Sequence, residues 1–468
     1  MNPNEIQLID TAVARAKAAS RTWSQTSPTL RARLLDGLAD TLEQHRDELV
    51  AIADQESGLG LARLTGEVAR TAYQLRGFAQ RLREEQYLRP VLDSAVAGAP
   101  PAGRPRLQRI QRALGPVAMF SASNFPFAFS VLGGDTASAL AAGCPVVVKA
   151  HSGHPRLSQA VYALAAAAVA EQGLPTGVLG LVDGASRAAG VHLVSHPDIA
   201  AVAFTGSFRG GTALWRTANE RPRPIPFYGE LGSINPLLAM PAILEREGPA
   251  LATLLASSIT QGCGQFCTSP GVIMLFEHPA SERFIQQLSE ALRPIGTHRM
   301  LTPGMRKGFD DGVAHLQQSP DAHAVFGPLA DGDGPAPRLF EVQAQAFLDN
   351  PALREEVFGP AAVVLKLQSV AQAVQVFEAI GGALTATLWG LEHASADHQE
   401  LLDAACAIAG RVLLKGVPTG VAICDAQQHG GPWPASTRPE STSVGYAAIH
   451  RFLRPMALQD APDWIEHD

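Results

Sequence analysis

The start of the chain carries apolar side chains at the spacing of amphipathic helices. In the segment TLRARLLDGLADTLEQHRDELVAIADQESG, apolar residues recur three and four positions apart, which places them on one side of a helix. These apolar positions are Leu34, Leu35, Leu38, Leu42 and Leu49. Gly58 and Gly60 follow the segment and are typical of a helix end. The pattern predicts a helical start, followed at 94–112 by a linker or exposed ribbon rich in Pro, Gly and Arg.

From residue 115 onward, short apolar runs alternate with helical stretches. The first runs are GPVAMFSAS, CPVVVKA, GVLGLVDG and IAAVAFTGS, and those after residue 270 are GVIMLFE, AAVVLKL, LTATLWG and GRVLLKG. Continuous apolar runs joined by helices are typical of parallel strands, because both faces of such a sheet are covered. We therefore predict an α/β fold with two α/β units in series.

Composition and charge exclude several classes of protein. The chain has 468 residues, of which 46% are hydrophobic and 17% are charged, and its net charge is -7. These values favour a globular protein of about two or three domains, and they argue against a nucleic-acid partner, which needs a basic face. The first residues, MNPNEIQLID, lack the pattern of a signal peptide, and runs such as CPVVVKA are too short to span a bilayer. Because five cysteines are too few for a disulfide scaffold, we expect a cytoplasmic protein with no membrane partner.

Two of the five cysteines, Cys263 and Cys267, lie in the segment QGCGQFCTSPG. A metal clip, a disulfide, an inert buried cysteine and a single reactive thiol are all compatible with this pair. Zinc usually needs a second Cys or His pair at ligand spacing, which the chain lacks, so we predict no metal. We expect Gly262 and Gly264 to let backbone amides approach a bound group. Such donors would lower the thiol pKa and make Cys267 a nucleophile.

Other polar residues follow the predicted strands. Asn124, in SASNFPFAFS, is either a turn residue or a donor to a developing oxyanion. Glu230, in PFYGELGSINP, is either a surface charge or a general base whose pKa is raised by a half-apolar setting. Lys149 ends the run CPVVVKA, at the edge where open α/β sheets bind ligands. His151 and His154 follow it, and we expect them to be polar loop residues rather than a metal pair.

The segment FTGS also follows a predicted strand. Gly206 and Ser207 would open a helix whose N-terminus can bind phosphate through its free amides and its dipole. A strict G-x-G-x-x-G fingerprint is absent from the sequence, so this segment alone does not identify a dinucleotide site.

Six segments, in this order, resemble the aldehyde dehydrogenase superfamily: SNFPF, VVVKAHSGHP, FTGS, ELGSINP, GQFCT and EEVFGP. The segment SASNFPFAFSVLGGDTASALAAGCPVVVKAHSGHP and the tail GVPTGVAICDAQQHGGPWPASTRPESTSVGYAAIHRFLRP more closely resemble the α-ketoglutarate semialdehyde (2,5-dioxopentanoate) dehydrogenases and related NADP-linked fatty aldehyde dehydrogenases. The resemblance implies an α/β fold of two Rossmann-type domains with a small β oligomerisation extension. It also implies oxidation of a small-molecule aldehyde, α-ketoglutarate semialdehyde, to the carboxylic acid α-ketoglutarate, with NADP preferred and NAD as the other cofactor.

The resemblance assigns the reaction to four side chains. Cys267 would attack the aldehyde and form a thioester, and Asn124 and the backbone N–H of Cys267 would hold the oxyanion. Glu230 would activate the water that releases the acid. His429, in QHGGPWPAS, is either a structural loop residue or a residue that tunes the pKa of the thiol.

The resemblance also assigns a cofactor site. Lys149 and Glu356 would bind ribose hydroxyls, and Phe358 would support the nicotinamide. Gly206 and Ser207 form the turn that would meet the pyrophosphate.

Four positions depart from the family pattern. Ser123 replaces a usual Trp, and Ser233 and Ile234 replace a usual Gly and Lys. Ser152 stands where a glutamate is common, so the carboxylate that would repel a 2′-phosphate is missing and we predict a preference for NADP. A broad medium- or long-chain aldehyde dehydrogenase is the alternative enzyme, and a catalytically inactive relative acting as a binding protein is the alternative outside enzymes.

Domain limits also follow from the resemblance. It implies a cofactor-binding domain at 1–94 and 114–230, and a catalytic domain at 231–445. The segments 95–113 and 446–468 would join subunits of a homodimer or homotetramer.

Overall fold

A computed structural model describes residues 3–183, 186–327, 334–462 and 464–465. The chain forms three β-sheets with helices packed around them, which confirms the predicted α/β class. Among the described residues, no helix combines the length and the apolar character that crossing a membrane requires.

The α-helices, in chain order, are α1 Pro3–Ser24, α2 Pro28–Gln44, α3 Arg46–Ser57, α4 Leu61–Arg83, α5 Gly134–Ala142, α6 Pro155–Glu171, α7 Arg187–Ser195, α8 Phe208–Glu220, α9 Pro241–Thr260, α10 Pro279–Leu292, α11 Pro303–Gln318, α12 Ala344–Asp349, α13 Val370–Ile380 and α14 Ala396–Ile408. The strands are β1 Val91–Asp93, β2 Leu107–Ala113, β3 Val117–Phe120, β4 Val146–Lys149, β5 Leu179–Val182, β6 Ala201–Thr205, β7 Phe227–Glu230, β8 Pro236–Ala239, β9 Val272–Phe276, β10 Ala322–Phe326, β11 Arg338–Gln343, β12 Ala361–Leu367, β13 Ala383–Trp389, β14 Ala409–Leu413 and β15 Leu453–Gln459. Short 3₁₀ helices lie at Thr176–Val178, Gln261–Gly264, Pro351–Arg354 and Tyr446–Phe452.

The helical start of the chain is confirmed, with one correction. The segment that the pattern treats as one helix is divided at His45, which leaves helical geometry and separates α2 from α3. Leu49 therefore lies on a different helix from the four leucines before it, although all five are buried. Gly58, with φ of 66°, ends α3 because a residue without a Cβ adopts this left-handed conformation readily.

The first parallel sheet has the order β5-β4-β3-β6-β7 and contains the strands expected between 115 and 230. Phe120 at the end of β3 pairs with Lys149 on β4 and with Phe204 on β6. Glu230 pairs with the last residue of β6. Because the strands are parallel, the segments that follow them all leave at one carboxyl edge.

The second sheet has the order β10-β11-β12-β9-β8-β13-β14, and all neighbours are parallel except β10 and β11. Residues 231–235 lead directly from β7 of the first sheet into β8 of the second. The loops that hold Cys267 and Glu356 enter β9 and β12, so both lie at the amino edge of the second sheet. The carboxyl edge of one sheet therefore meets the amino edge of the other.

The predicted ribbon at 94–112 is only partly a linker. Its second half is β2, which pairs antiparallel with β1 on one side and with β15 on the other. Val96 and Arg104 also form an isolated bridge. The pairings between strands join β1, β2 and β15 in one small sheet.

Candidate active site

Cys267 lies in the loop between the short helix Gln261–Gly264 and β9, and it is partly exposed. Cys263 is buried and packs in the apolar core of the second sheet. Both cysteines are free thiols, so the disulfide alternative does not apply. The two cysteines have different environments, since one faces the site and the other faces the core.

The glycines beside Cys267 serve a different purpose from the one expected. Gly264 has φ of 65°, and a Cβ there would lie 2.2 Å from the carbonyl carbon of Gly359. Gly262 has φ of 58°, and a Cβ there would lie 2.3 Å from Nη1 of Arg63. Atoms of Gly359 and Arg63 therefore occupy the space beside these two glycines. The contact with Gly359 packs the Cys267 loop against the loop before β12.

Cys267, His429 and Glu230 form a compact group. The Sγ atom of Cys267 lies 3.7 Å from Nε2 of His429, and the same Nε2 lies 3.1 Å from Oε1 of Glu230. The other carboxylate oxygen of Glu230 accepts a hydrogen bond from Ser443. Glu230 and His429 are buried, whereas the residue Cys267 is partly exposed. This arrangement places a carboxylate beside a nucleophile in a setting that excludes most water.

The charges in this group differ from both sequence expectations. Burial alone would raise the pKa of Glu230, but His429, Ser443 and Cys267 hold that pKa below its ordinary value. Burial and the negative charge of Glu230 raise the pKa of the Cys267 thiol well above its ordinary value. The expected raised pKa of Glu230 and lowered pKa of Cys267 are therefore both wrong. The resting pair is therefore a neutral thiol next to an ionised carboxylate.

This ordering of pKa values predicts how the free enzyme reacts with iodoacetamide. Because only the thiolate reacts, we expect the alkylation rate of Cys267 to rise about tenfold per pH unit from about pH 7 to about pH 9, without a plateau. A Cys267→Ser variant measures the background from the exposed Cys406 and Cys424. A plateau reached by about pH 7 would contradict the raised thiol pKa.

Asn124 is attached to the same loop. Its side-chain Nδ2 donates to the carbonyl of Gln265 at 2.9 Å, and its own carbonyl accepts from Nη2 of Arg63 at 2.6 Å. The buried carboxylate of Glu67 accepts the N–H groups of the next turn at 2.8 and 2.9 Å. One amide hydrogen of Asn124 satisfies the loop, and the second can donate to another acceptor. The backbone N–H of Cys267 lies close to its own sulfur and opposes the rise in the thiol pKa.

Sequence reasoning missed Asn235, which fixes the backbone of Cys267. Its Nδ2 donates to the carbonyls of Cys267 and Ser269 at 2.8 and 3.0 Å, and its φ is 42°. Ser233, one of the departures from the family pattern, donates to Oδ1 of Asn235 and accepts from the N–H of Leu384. The serine therefore supports the nucleophile loop. In the sequence, the only sign of this role was that Asn235 is a small polar residue directly before a proline.

Ser443 was also missed, and no local pattern could have identified it. It reaches Glu230 because the segment around residue 436 pairs antiparallel with β7: Leu231 N–H donates to the carbonyl of Ala435 at 2.8 Å. The N–H of Ser443 in turn donates to the carbonyl of His429 at 2.8 Å. The segment thus places His429 and Ser443 together beside the Glu230 carboxylate.

The structure places Lys149 at the end of β4 as expected. Its Nζ donates to the carbonyl of Ala150 at 3.1 Å, and burial lowers its pKa. Ser152 is exposed in the following turn. His154 is not a polar loop residue, since it is buried and its Nε2 lies 2.9 Å from the carbonyl of Ala122. His151 accepts a hydrogen bond from the N–H of Gly153.

The FTGS segment forms the expected helix start. Ser207 is the N-cap of α8, and its hydroxyl accepts from the N–H of Gly210 at 3.3 Å. Gly206 and Ser207 are exposed. The remaining N–H groups of the first turn have no partner within the helix, so this end of α8 offers donors to an anion at the carboxyl edge of the first sheet.

Glu356 and Phe358 lie across from this edge and line the same small cavity. The Glu356 residue is exposed as a whole, but its Oε2 lies only 2.4 Å from where a Cβ on Gly232 would be. Loss of solvent around this carboxylate raises its pKa to about 7, and a hydrogen bond with the backbone of Ser233 limits the rise.

Cys267, His429 and Glu230 also resemble a metal-ligand set. Their donor atoms all lie within 4.8 Å of one another, and within the described ranges no other group of three such side chains does so. Thiolate, imidazole and carboxylate are ligands that zinc accepts. A metal at this position would occupy the thiol, so the group serves either metal binding or thiol chemistry.

Comparison with known proteins shows the family to which the chain belongs. The pattern of the aldehyde dehydrogenase family matches residues 5–404. The chain is a member of this family. Alpha-ketoglutaric semialdehyde dehydrogenase 2 of Azospirillum brasilense is 46% identical over 437 residues, which cover 92% of this chain and 83% of that protein. The alpha-ketoglutaric semialdehyde dehydrogenase of Acinetobacter baylyi is 40% identical over 459 residues, which cover 97% of this chain and 86% of that protein.

Solved structures support the same fold. The 1-pyrroline-5-carboxylate dehydrogenase from Thermus with bound NAD superimposes with a TM-score of 0.81 at 20% identity, covering 96% of this chain and 85% of that one. The predicted family, the α/β fold class and the reaction class are therefore confirmed. The protein is an NAD(P)-dependent aldehyde dehydrogenase.

The residues present fit this cofactor. Two neighbouring features lie at the carboxyl edge of the first sheet, namely the cation of Lys149 and the free N–H groups at the start of α8. Glu356 adds a carboxylate that can accept hydroxyl groups. A dinucleotide needs donors for its phosphates and acceptors for its riboses, and the two facing edges together provide both.

Proposed function

We propose that this dehydrogenase oxidises α-ketoglutarate semialdehyde to α-ketoglutarate through a thioester on Cys267, with NADP preferred over NAD. The observation that carries the proposal is the thiol–carboxylate pair of Cys267 and Glu230 in a chain that is 46% identical to an alpha-ketoglutaric semialdehyde dehydrogenase. The test is a panel of aldehydes run with both cofactors, in which α-ketoglutarate semialdehyde with NADP should give the highest kcat/KM.

In the first half of the reaction the Cys267 thiol releases its proton to solvent, and its Sγ attacks the aldehyde carbon. The oxygen becomes an oxyanion, which the free amide hydrogen of Asn124 and the backbone N–H of Cys267 stabilise. NAD(P)⁺ held by the residues assigned below would supply the acceptor for the hydride of the thiohemiacetal carbon. The carbon is thereby oxidised and remains attached to Cys267 as a thioester.

In the second half Glu230 removes a proton from water, and the resulting hydroxide attacks the thioester. The C–S bond breaks, the acid leaves, and the thiolate takes the proton from Glu230, which restores both the thiol and the carboxylate. His429 and Ser443 hold the Glu230 carboxylate between them, so they position the base. The contact of His429 with Sγ lets the same imidazole influence the thiol during both halves.

The role of Asn124 predicts a defect in kcat. In Asn124→Ala one of two oxyanion donors is lost, and we expect kcat to fall about 10²- to 10³-fold, as for other single donors. Iodoacetamide should still alkylate Cys267 at nearly the wild-type rate, which shows that the loop is intact. A kcat within about threefold of wild type would exclude Asn124 as an oxyanion donor.

We assign the cofactor to residues at the carboxyl edge of the first sheet and on the loop before β12 that faces it. Gly206 and Ser207 bring the start of α8 to the pyrophosphate, and Lys149 binds a ribose hydroxyl. Glu356 binds the other ribose, and Phe358 supports the nicotinamide. Hydrogen bonds from ribose hydroxyls are best accepted by ionised Glu356, which with its pKa of about 7 is the more abundant form above that pH.

Cofactor preference yields a second kinetic prediction. Because Ser152 is neutral and exposed beside Lys149, we expect kcat/KM for NADP to exceed that for NAD by at least about tenfold. A carboxylate introduced by Ser152→Glu would repel a 2′-phosphate and should reverse the order, whereas Ser152→Ala should keep it. A wild-type enzyme that favours NAD by about tenfold would contradict the assignment.

We also propose that 1–94 and 114–230 form the cofactor-binding domain and 231–445 the catalytic domain. The two parallel sheets fall within these limits. The segments 95–113 and 446–468 contribute β2 and β15 to the small sheet, and we assign it to subunit contacts. Val91, Leu92 and Val96 support this assignment because they are large apolar side chains left exposed there. Light scattering distinguishes a homodimer from a homotetramer.

A further inference from the structure

The proposed substrate carries a carboxylate at the end opposite its aldehyde, and a buried carboxylate needs a cationic partner. Three partly buried arginines lie near Cys267 or the loops that contact it. Arg63 and Arg70 are on α4, and Arg411 is on β14. Their hydrogen bonds show which of them is committed to the fold and which has donors left for a ligand.

Arg63 is committed to the nucleophile loop. Its guanidinium lies over the rings of Phe125 and Phe266, at 5.1 and 4.8 Å from their centroids. Its Nη2 donates to the carbonyl of Asn124, and its Nη1 is buried against Gly262 without a hydrogen-bond partner. Since Arg63 holds Asn124 in place, its loss would disturb the reaction of every aldehyde.

Arg411 is committed to the segment after β14. Its Nη1 and Nη2 donate to the carbonyls of Gly420 and Pro418 at 3.0 and 2.6 Å, and its Nε is buried. Both ends of the guanidinium are therefore occupied by backbone oxygens. This arginine fixes the loop and has little capacity for a ligand.

Arg70 differs from both. Only Nη1 has a partner, the carbonyl of Val421 at 2.6 Å, and within the described part of the chain its Nε and Nη2 donate to nothing. These two donors are not fully buried, so a ligand can reach them. Nε and Nη2 lie on one side of the guanidinium, which is the geometry that binds both oxygens of a carboxylate.

The surroundings of Arg70 leave positive charge available. Arg63, Glu67 and Arg70 are spaced four and three residues apart, so they lie on one face of α4. The same face contacts the Asn124 turn through Glu67 and Arg63. The carboxylate of Glu67 balances the charge of one of the two guanidinium groups. This face of α4, which borders the site, therefore keeps a net positive charge.

The face of α4 that carries Arg70 is linked to the Cys267 loop, because Arg63 donates to the carbonyl of Asn124 and the Asn124 side chain donates to the carbonyl of Gln265. Burial lowers the pKa of Arg70, whereas the charges of Glu67 and Cys267 raise it, so the guanidinium is close enough to Cys267 for the two charges to interact. The aldehyde and carboxylate carbons of an extended five-carbon semialdehyde are only roughly 5 Å apart, as carbon–carbon bond lengths dictate. The semialdehyde of a short dicarboxylic acid can therefore place its aldehyde at Cys267 and its one carboxylate at the Arg70 guanidinium.

We propose that Arg70 binds the distal carboxylate of the substrate through Nε and Nη2, and that this contact makes the enzyme select short aldehydes with a terminal carboxylate. The inference rests on the proposed function, because it names the residue that gives that function its substrate class.

The experiment compares Arg70→Met with wild type on α-ketoglutarate semialdehyde, glutarate semialdehyde and pentanal. We expect kcat/KM for the two carboxylated substrates, relative to pentanal, to fall roughly 10- to 100-fold, mainly through KM. Arg76→Met is the control, since Arg76 is on the same helix but pairs with Asp40 and Glu43 at the surface. Arg70→Lys should recover part of the ratio. An unchanged ratio, or an equal loss for pentanal, would overturn the assignment.

A binding measurement tests the same contact without turnover. Glutarate, which has no aldehyde, should slow alkylation of Cys267 by iodoacetamide in wild type and in Arg76→Met, and should protect Arg70→Met far less. Equal protection of all three proteins would overturn the role of Arg70. A wild-type enzyme that does not prefer carboxylated aldehydes over pentanal contradicts the proposed function itself. A wild-type preference that survives Arg70→Met contradicts only this inference.

Discussion

Replacing Cys267 with alanine should abolish turnover, with a loss of about 10⁴-fold or more, because no covalent intermediate can form without the thiol. The matched variant is Cys263→Ala. Cys263 lies four residues earlier and is buried in the core of the second sheet, so its loss leaves the site intact. We expect that variant to retain most of the wild-type kcat, and steady-state kinetics with a saturating aldehyde measure both effects.

Comparing the two variants distinguishes catalysis by one thiol from catalysis that needs both cysteines. Near-equal losses in the two variants would mean that both cysteines take part, as a metal clip or a redox pair would require. Folding is checked in each variant by the thermal midpoint. The environments of the two thiols argue for unequal losses, since only Cys267 approaches His429, at 3.7 Å.

In Glu230→Gln we expect a single rapid turnover followed by a stall. Glutamine keeps the size of the side chain but cannot remove a proton from water, so acylated enzyme should accumulate. Losing a general base typically costs 10²- to 10⁴-fold, and we expect steady-state kcat to fall by about 10³-fold. Rapid mixing should show a burst of reduced cofactor that approaches one equivalent per active site.

Ser443→Ala provides the graded control for this prediction. It removes one hydrogen bond to the Glu230 carboxylate but leaves the carboxylate itself, so kcat should fall far less than in Glu230→Gln. Full steady-state turnover by Glu230→Gln would require another base. The absence of any burst would mean that Glu230 is needed already to take the thiol proton, which the short distance between the two groups permits.

The order of the elements was predictable because each buried parallel strand leaves an apolar run in the sequence. The runs that end at Lys149 and before Gly206 became β4 and β6, and the segments after them meet at one edge as parallel pairing requires. The division of the first long helical segment at His45 was not predictable, since apolar spacing continues through it.

The charges of the site were not predictable from local sequence. The setting of Glu230 depends on His429, which lies 199 residues away in the chain, and on Ser443, which lies 213 residues away. Their hydrogen bonds outweigh burial and reverse the expected direction of the pKa shift for the carboxylate. That carboxylate then raises the pKa of Cys267, although the glycines around the thiol suggested the opposite.

Departures from a family pattern also needed the structure for their interpretation. Ser233 alone could indicate a site that has lost its function. In the structure it supports Asn235, whose side chain holds the carbonyl of Cys267. The substitution is therefore compatible with a loop that still presents its nucleophile.

The central claim is that Cys267 carries an acyl group that Glu230 must help to hydrolyse, and intact-protein mass spectrometry tests it directly. Glu230→Gln is mixed with α-ketoglutarate semialdehyde and NADP, quenched in acid and digested. We predict one acyl adduct per chain, located on the peptide that contains Cys267, and none in the Glu230→Gln, Cys267→Ala double variant. An adduct on Cys263, or product formation without any adduct, would contradict the account.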